Sequence, residues 1–354
     1  MFDLKTILRP NIAALVPYSS ARDEFKGTAE VYLDANENSL GSAIDTHTLN
    51  RYPDPLQLKV KEKLGKIKGV APANIFLGNG SDEAIDILIR AFCNPGKDNI
   101  IILPPTYGMY EVAAKINDVT AKAVNLTKDA QLNLAGIKVA TDKNTKLIFV
   151  CTPNNPTGGT IRKADIETLL NTFNGVVVVD EAYIDFADEA SMIQDLIKYP
   201  NLVIMQTFSK AWGLAGLRVG MAFASNEIIS VMNKIKAPYN VGELAQQLIA
   251  KALENKEGVN KMVNVLKQER AVLVEKLPTF SFVKGILPSR ANFLLVKTTC
   301  PNELYGYLID NNVVVRNRAS LPLCEGGLRI TVGTPEENKK LLALLSTFEK
   351  PLTK

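Results

Sequence analysis

From Ile75 onward, short apolar runs alternate with longer segments whose apolar residues recur at helical spacing. Residues 75–77, 99–103, 146–151, 176–179, 202–205 and 219–224 have the length and β-branched content of buried strands. Between the first two runs, Ala84, Ile85, Leu88, Ile89 and Phe92 repeat every three or four residues, as on a helix with one buried side. This alternation predicts an α/β fold built on a mostly parallel sheet with helices on both faces. Ligands of such sheets sit beyond the carboxyl ends of the strands. The polar motifs of this chain fall at those ends, one strand after another.

The flanks follow other patterns. Residues 1–28, with Pro10 and Pro17, read as an irregular arm that must pack on something. Val31-Tyr32-Leu33 reads as a short strand, and Arg51-Tyr52-Pro53-Asp54-Pro55 as a rigid turn before a helix starting near Leu56. Lysines crowd 59–68 but alternate with Val60, Leu64 and Ile67, which predicts a solvated helix face. Beyond Gly242, helical spacing through Leu244, Leu248 and Ala252 continues to about Lys276. Strands over 292–296, 313–316 and 328–332 follow, with a last helix from Pro335. The organisation expected is an arm (1–28), a large domain (29–242, whose first strand is free to join the smaller domain) and a small α/β domain (243–354).

Composition narrows the class. The 354 residues, 46% hydrophobic, suffice for a large core and two domains. A formal charge of +4 is too weak a bias to suggest nucleic acid. Cys93, Cys151, Cys300 and Cys324 lie far apart with no CxxC, which fits a reducing cytoplasm. Asp3 and Lys5 interrupt the N-terminal apolar residues, so no signal-peptide core is expected, and no apolar run approaches membrane-spanning length. His47 is the only histidine; a multi-histidine metal site is excluded, and a histidine triad would have to use this residue.

The candidate chemistry centres on Thr207-Phe208-Ser209-Lys210-Ala211-Trp212-Gly213-Leu214-Ala215-Gly216-Leu217-Arg218. A buried strand that delivers one lysine to small, hydrogen-bonding surroundings sets up an amine able to lose its proton and form a Schiff base. Ser209 and Arg218 offer donors for an anion. Gly78-Asn79-Gly80-Ser81-Asp82-Glu83 turns from strand to helix, and reads equally as a helix capped by Ser81 or as a phosphate site at a helix start. Asp180 ends a four-valine run, where a carboxylate is costly without a cationic partner; it is either a structural acceptor of loop amides or the partner of a protonated ring nitrogen. Asn155 and Tyr183 can hydrogen-bond a phenolic oxygen, and Tyr107 can lie on an aromatic ring. A phosphate, a carbonyl, a phenolic oxygen and a ring nitrogen together describe pyridoxal 5′-phosphate.

The segments Asn154-Asn155-Pro156-Thr157-Gly158, Asp180-Glu181-Ala182-Tyr183 and Ser209-Lys210 with Gly213–Arg218 resemble the fold-type-I pyridoxal-phosphate aminotransferases. Within that family, Arg9-Pro10-Asn11-Ile12, Pro17-Tyr18, Asp34-Ala35-Asn36-Glu37-Asn38, Arg51-Tyr52-Pro53-Asp54 and Pro238-Tyr239-Asn240-Val241 are similar to the histidinol-phosphate aminotransferases. The resemblance implies Lys210, Asp180 and Tyr183 as catalytic residues, with Lys210 joined to the cofactor. It implies Gly80, Ser81, Asp82, Ser209 and Arg218 around the phosphate, Asn155 and Tyr183 on the phenolic oxygen and Tyr107 on the ring. Tyr52 is expected at the cofactor phosphate of a second subunit, so the sites would be shared in a homodimer. Tyr18, Asn36, Arg316 and Arg329 are expected around the substrate; on their own, both arginines read as surface residues of strands. The implied reaction moves an amino group between histidinol phosphate and 2-oxoglutarate, yielding glutamate. The chain departs from the family pattern at Ser39, Leu40 and Gly242, on the expected substrate side, which bears on substrate breadth rather than reaction type. Two alternatives share the cofactor: a lyase decarboxylating an O-phospho-amino acid, and a non-catalytic sensor. Residues 1–30 hold no helix-turn-helix pattern and no basic cluster, which argues against the sensor.

Overall fold

The computed structural model describes residues 2–21, 29–44 and 49–348. His47 and the end of the expected arm, 22–28, lie outside the described residues.

Among the described residues, seven strands form one sheet: β1 (Ile75–Asn79), β2 (Asn99–Ile102), β3 (Thr120–Ala123), β4 (Thr145–Cys151), β5 (Val176–Asp180), β6 (Leu202–Thr207) and β7 (Val219–Phe223). Their order is β1-β7-β6-β5-β4-β2-β3. The run from β6 to β3 is parallel, and β7 is antiparallel to both of its neighbours. Val177 and Val179 point into one core and Val176 and Val178 into the other, so the four-valine run serves both faces. β3 was not expected. Its Thr-Ala-Lys-Ala sequence sits at the sheet edge, exposed or half-buried, and so lacks an apolar run.

Four further strands form an antiparallel sheet in the order β10-β11-β9-β8, namely β8 (Val283–Ile286), β9 (Phe293–Thr298), β10 (Arg316–Asn317) and β11 (Gly327–Thr331). Apolar residues through Val263 join the large sheet's core, while those from Leu273 join the core of the small sheet. The helix Lys256–Lys276 therefore spans both. The last helix, Pro335–Thr347, starts at a capping box of Thr334 and Glu337.

Three expectations change. Val31-Tyr32-Leu33 forms no strand among the described residues; Val31 is 69% and Leu33 83% exposed, and no neighbouring strand completes a ladder there. The arm is not wholly irregular. It carries short helices at Leu4–Ile7 and Pro10–Ala14, the latter with proline at its first position, and buries Ile7 and Ile12. The lysine-rich helix, Leu58–Lys68, is not solvated throughout, because Lys61 is only 3% exposed.

Candidate active site

Parallel pairing of β4, β5 and β6 aligns their carboxyl ends, with Cys151 opposite Asp180 and Asp180 opposite Met205. The chain leaves β6 through Phe208-Ser209-Lys210. Phe208 and Trp212 are both buried and pack edge to face, with ring centres 5.5 Å apart, so the loop is anchored on each side of the lysine. The Lys210 carbonyl accepts the Gly213 amide at 3.0 Å.

One cavity gathers the expected cofactor residues of the large sheet. Gly80, Ser81, Asp82 and Arg218 form one end, Asp180 and Lys210 face it from the strand ends, and Tyr107, Asn155, Tyr183 and Ser209 complete the wall. The anion end depends on close approach. A Cβ at Gly220 would lie 2.2 Å from the Ser81 nitrogen, so only glycine lets β7 pass the start of helix Gly80–Phe92. Gly80 itself has φ +75°, and a Cβ there would lie 2.7 Å from Arg218 Nη2. Ser81 does not cap this helix: the N-cap is Asn79, with no side-chain cap bond, and Glu83 Oε2 accepts the Asn79 amide at 2.5 Å. The helix start is thus bare of a side-chain cap and faces Arg218, a donor set that suits a phosphate. Arg218 meets Asp82 at 3.4 Å, and Asp82 accepts the Tyr107 hydroxyl at 3.1 Å.

Asp180 is 3% exposed. Its Oδ1 accepts the Ala182 amide at 3.1 Å, and its Oδ2 accepts the Tyr110 hydroxyl at 2.5 Å. Burial pushes its carboxyl above the ordinary range; the bonds from Tyr110 and Ala182 oppose that rise, as does the charge of Lys210. A cation seated in the cavity would complete this carboxylate, as a protonated ring nitrogen does. Lys210 opens to the cavity, with Nζ 5.6 Å from the centre of the Tyr183 ring. Desolvation by the cavity walls lowers its proton affinity, and Arg329 and Arg218 add repulsion against the attraction of Asp180 and Asp82. The donors, the buried carboxylate and the poised amine fit pyridoxal phosphate.

The small sheet meets the cavity only through a lining residue, Asn155; Arg316 and Arg329 are not themselves part of its lining. Arg329 on β11 donates from Nη1 to Asn155 Oδ1 at 2.5 Å and lies over the Phe293 ring. Arg316 stands opposite Arg329 in the β10–β11 register. Within this single chain Tyr18, Asn36 and Tyr52 do not line the cavity. Tyr18 is 76% and Tyr52 50% exposed, and Tyr52 stacks on Tyr239 with ring centres 4.5 Å apart. Sequence reasoning missed Tyr110, which reads as a core residue of helix Met109–Ile116, and Cys151, a strand residue that the register places beside Asp180.

A profile of the family described as aminotransferase class I and II matches residues 20–345. The chain is 53% identical over 347 residues to the histidinol-phosphate aminotransferase of Cytophaga hutchinsonii, covering 98% of this chain and 99% of that one. It is 50% identical over 350 residues to the protein of the same name from Bacteroides fragilis, covering 99% of this chain and all of that one. Its fold matches the crystal structure of histidinol-phosphate aminotransferase from Sinorhizobium meliloti in complex with pyridoxal 5′-phosphate, with a TM-score of 0.79 at 21% identity over 96% of this chain and 98% of that one.

Proposed function

The chain belongs to the aminotransferase class I and II family, and from that premise we propose that it transfers an amino group between L-histidinol phosphate and 2-oxoglutarate, a step of histidine biosynthesis. The observation that carries the chemistry is the cavity in which the partly desolvated amine of Lys210, the buried carboxylate of Asp180 and the glycine-lined helix start with Arg218 converge.

Pyridoxal 5′-phosphate, when bound, supplies an aldehyde that exchanges amines and a pyridinium that accepts electrons from the substrate α-carbon. Gly80, Ser81, Ser209 and Arg218 would hold its phosphate, with Asp82 beside it orienting Arg218 and the Tyr107 hydroxyl. Tyr107 would flank the ring, Asn155 and Tyr183 would bind the phenolic oxygen, and Asp180 would pair with the ring nitrogen. Lys210 Nζ would be the amine that holds the cofactor's aldehyde carbon, and the same amine is placed to move the proton at the substrate α-carbon. Arg329 and Arg316, on adjacent strands, bind the anionic end of the substrate; a pair of guanidinium forks accepts either a phosphate monoester or a carboxylate. The alternation of the two substrates at one site makes the reaction ping-pong.

We place the site at a homodimer interface, with Tyr52 reaching the partner's cofactor phosphate and Tyr18 and Asn36 on the substrate side. Exposed Tyr18, Leu33, Leu40, Tyr52, Leu244 and Leu248 support such a contact. The arm, the 29–242 domain and the 243–354 domain are read as the working units. The reaction is placed in the cytoplasm, which suits four free, buried cysteines. Among the described residues no helix is long and apolar enough to cross a membrane.

The test is a substrate panel on the purified, cofactor-loaded protein. Glutamate formation from histidinol phosphate should exceed that from phenylalanine by roughly 100-fold or more in kcat/KM, because phenylalanine offers the paired arginines one carboxylate charge in place of a phosphate monoester with nearly two. Carbon dioxide release from phosphothreonine without an oxo acid would overturn the assignment in favour of a lyase.

A further inference from the structure

Asp180 has two donors from its own chain, one per oxygen: the Ala182 amide and the Tyr110 hydroxyl. None of the functions assigned above uses Tyr110. Its side chain is 0% exposed, stacked on Phe149 with ring centres 4.7 Å apart and set edge-on to Tyr107 at 5.6 Å. Phenylalanine would fill this volume equally well. The buried hydroxyl is therefore a specific addition, and a hydroxyl at this depth needs an acceptor. That acceptor is the carboxylate oxygen left free by Ala182.

We propose that Tyr110 is a positioning residue: its hydroxyl fixes the Asp180 carboxylate toward the cavity and weakens its hold on the shared proton, so that the proton stays on the cofactor's ring nitrogen. This inference rests on the reading of Asp180 as the partner of that nitrogen. With Oδ1 tied to Ala182 and Oδ2 to Tyr110, the carboxylate cannot rotate without losing a bond, and Asp180 is held as part of the cavity lining. The other groups around Asp180 leave this bond a distinct part to play. The Cys151 thiol and the Tyr183 phenol are both kept protonated by burial. Tyr107 is kept protonated by burial and by Asp82, its acceptor. Asp82 raises the proton affinity of Asp180, whereas Lys210 lowers it. Once Lys210 is joined to the cofactor its ammonium charge is no longer independent, and the neutral donors Tyr110 and Ala182 remain to hold the carboxylate ionised.

Tyr110→Phe removes one oxygen and keeps the ring. The expected results are a cofactor dissociation constant about 10-fold or more higher, a ring-nitrogen resonance of 15N-labelled cofactor moved toward the unprotonated value, and a lower kcat with KM for histidinol phosphate little changed. In the cofactor-free variant the Asp180 carboxyl, followed by 13C NMR, should titrate at higher pH than in the parent. Phe149→Leu disturbs the same packing without touching the hydroxyl; it should lower the melting temperature and leave the 15N resonance in place. If Tyr110→Phe does not fold, 3-fluorotyrosine at position 110, a stronger donor of nearly the same shape, should move the Asp180 titration to lower pH. An unchanged cofactor affinity and an unchanged 15N resonance in Tyr110→Phe, or an unmoved Asp180 titration with fluorotyrosine, overturn the proposal. Asp180→Asn separates the two levels. If it too leaves the 15N resonance unchanged, the reading of Asp180 fails; if it moves the resonance while Tyr110→Phe does not, only the inference about Tyr110 fails.

Discussion

Lys210 lies where opposing fields meet. The walls of the cavity, Arg329 and Arg218 destabilise its ammonium, and Asp180 and Asp82 partly restore it. The net direction is toward the neutral amine, the form that attacks an aldehyde. The rate of cofactor attachment should therefore rise with pH through the lowered value and level off at a lower pH than a free lysine near 10.4 would require. Stopped-flow mixing of cofactor with the cofactor-free protein measures this, and a rate that levels off only where that of a free lysine does contradicts it. Lys210→Ala should lose transamination and retain no cofactor after borohydride reduction, which intact-mass spectrometry reads directly. Transamination at the parent rate by that variant would remove Lys210 from its proposed function.

At the scale of elements, the segment before helix Leu58–Lys68 is held by several independent contacts. Asp54 accepts the Leu56 and Leu58 amides at 2.8 and 2.6 Å. Lys236 donates to the carbonyls of Pro55 and Pro238 at 2.8 and 2.9 Å, joining this segment to the one that carries Tyr239. The stack of Tyr52 on Tyr239 sits on this joint. Lys61 is buried beside it, and burial, reinforced by Lys236 and opposed by Asp54, lowers its value from 10.5 to about 8. The folded state therefore gives up this proton before the unfolded state does, so stability should rise as pH climbs from about 8 toward 10.5. Lys61→Met should add roughly 1–3 kcal/mol at pH 7, because it removes a desolvated charge and keeps the stem volume. It should also abolish the rise. Urea unfolding at pH 7 and at pH 9.5 measures both; a variant less stable than the parent at pH 7 would show that the ammonium makes contacts outweighing its desolvation.

For the whole molecule, the central question is where Tyr52 acts. It lies outside the cavity of its own chain, half exposed and held in place by the joint just described. If two copies share their sites, Lys210→Ala and Tyr52→Ala protomers carry defects that belong to different halves of each site. A hybrid dimer then holds one site with both residues intact and one with neither. Mixing and reassembling equal amounts should restore about a quarter of the parent activity, since half the dimers are hybrid and each has one working site. No gain on mixing would place Tyr52 in the service of its own chain.

Much of this architecture was legible in the residues. The apolar runs at 75–77, 176–179 and 202–205 are strands because their side chains leave them no stable place but a doubly covered sheet. Asp180, Asn155 and Lys210 share a cavity because each ends or follows a strand of that sheet. Arg316 and Arg329 were reached through resemblance alone, since an arginine on a strand carries no local sign of what it faces. Other features depended on contacts between residues far apart in sequence, which local periodicity does not encode. The hydroxyl of Tyr110 meets a carboxylate 70 positions away. Lys61 is buried within a lysine-rich helix and feels the charges of Lys236 and Asp54, one far away in the chain and one in the turn before the helix. Val31-Tyr32-Leu33 has strand-forming residues but no ladder to join. The amino-acid sequence by itself determined which groups stand at the strand ends, because alternation and side-chain chemistry are local properties; the tertiary structure alone decided which group holds which, because that is set by sheet register and close packing.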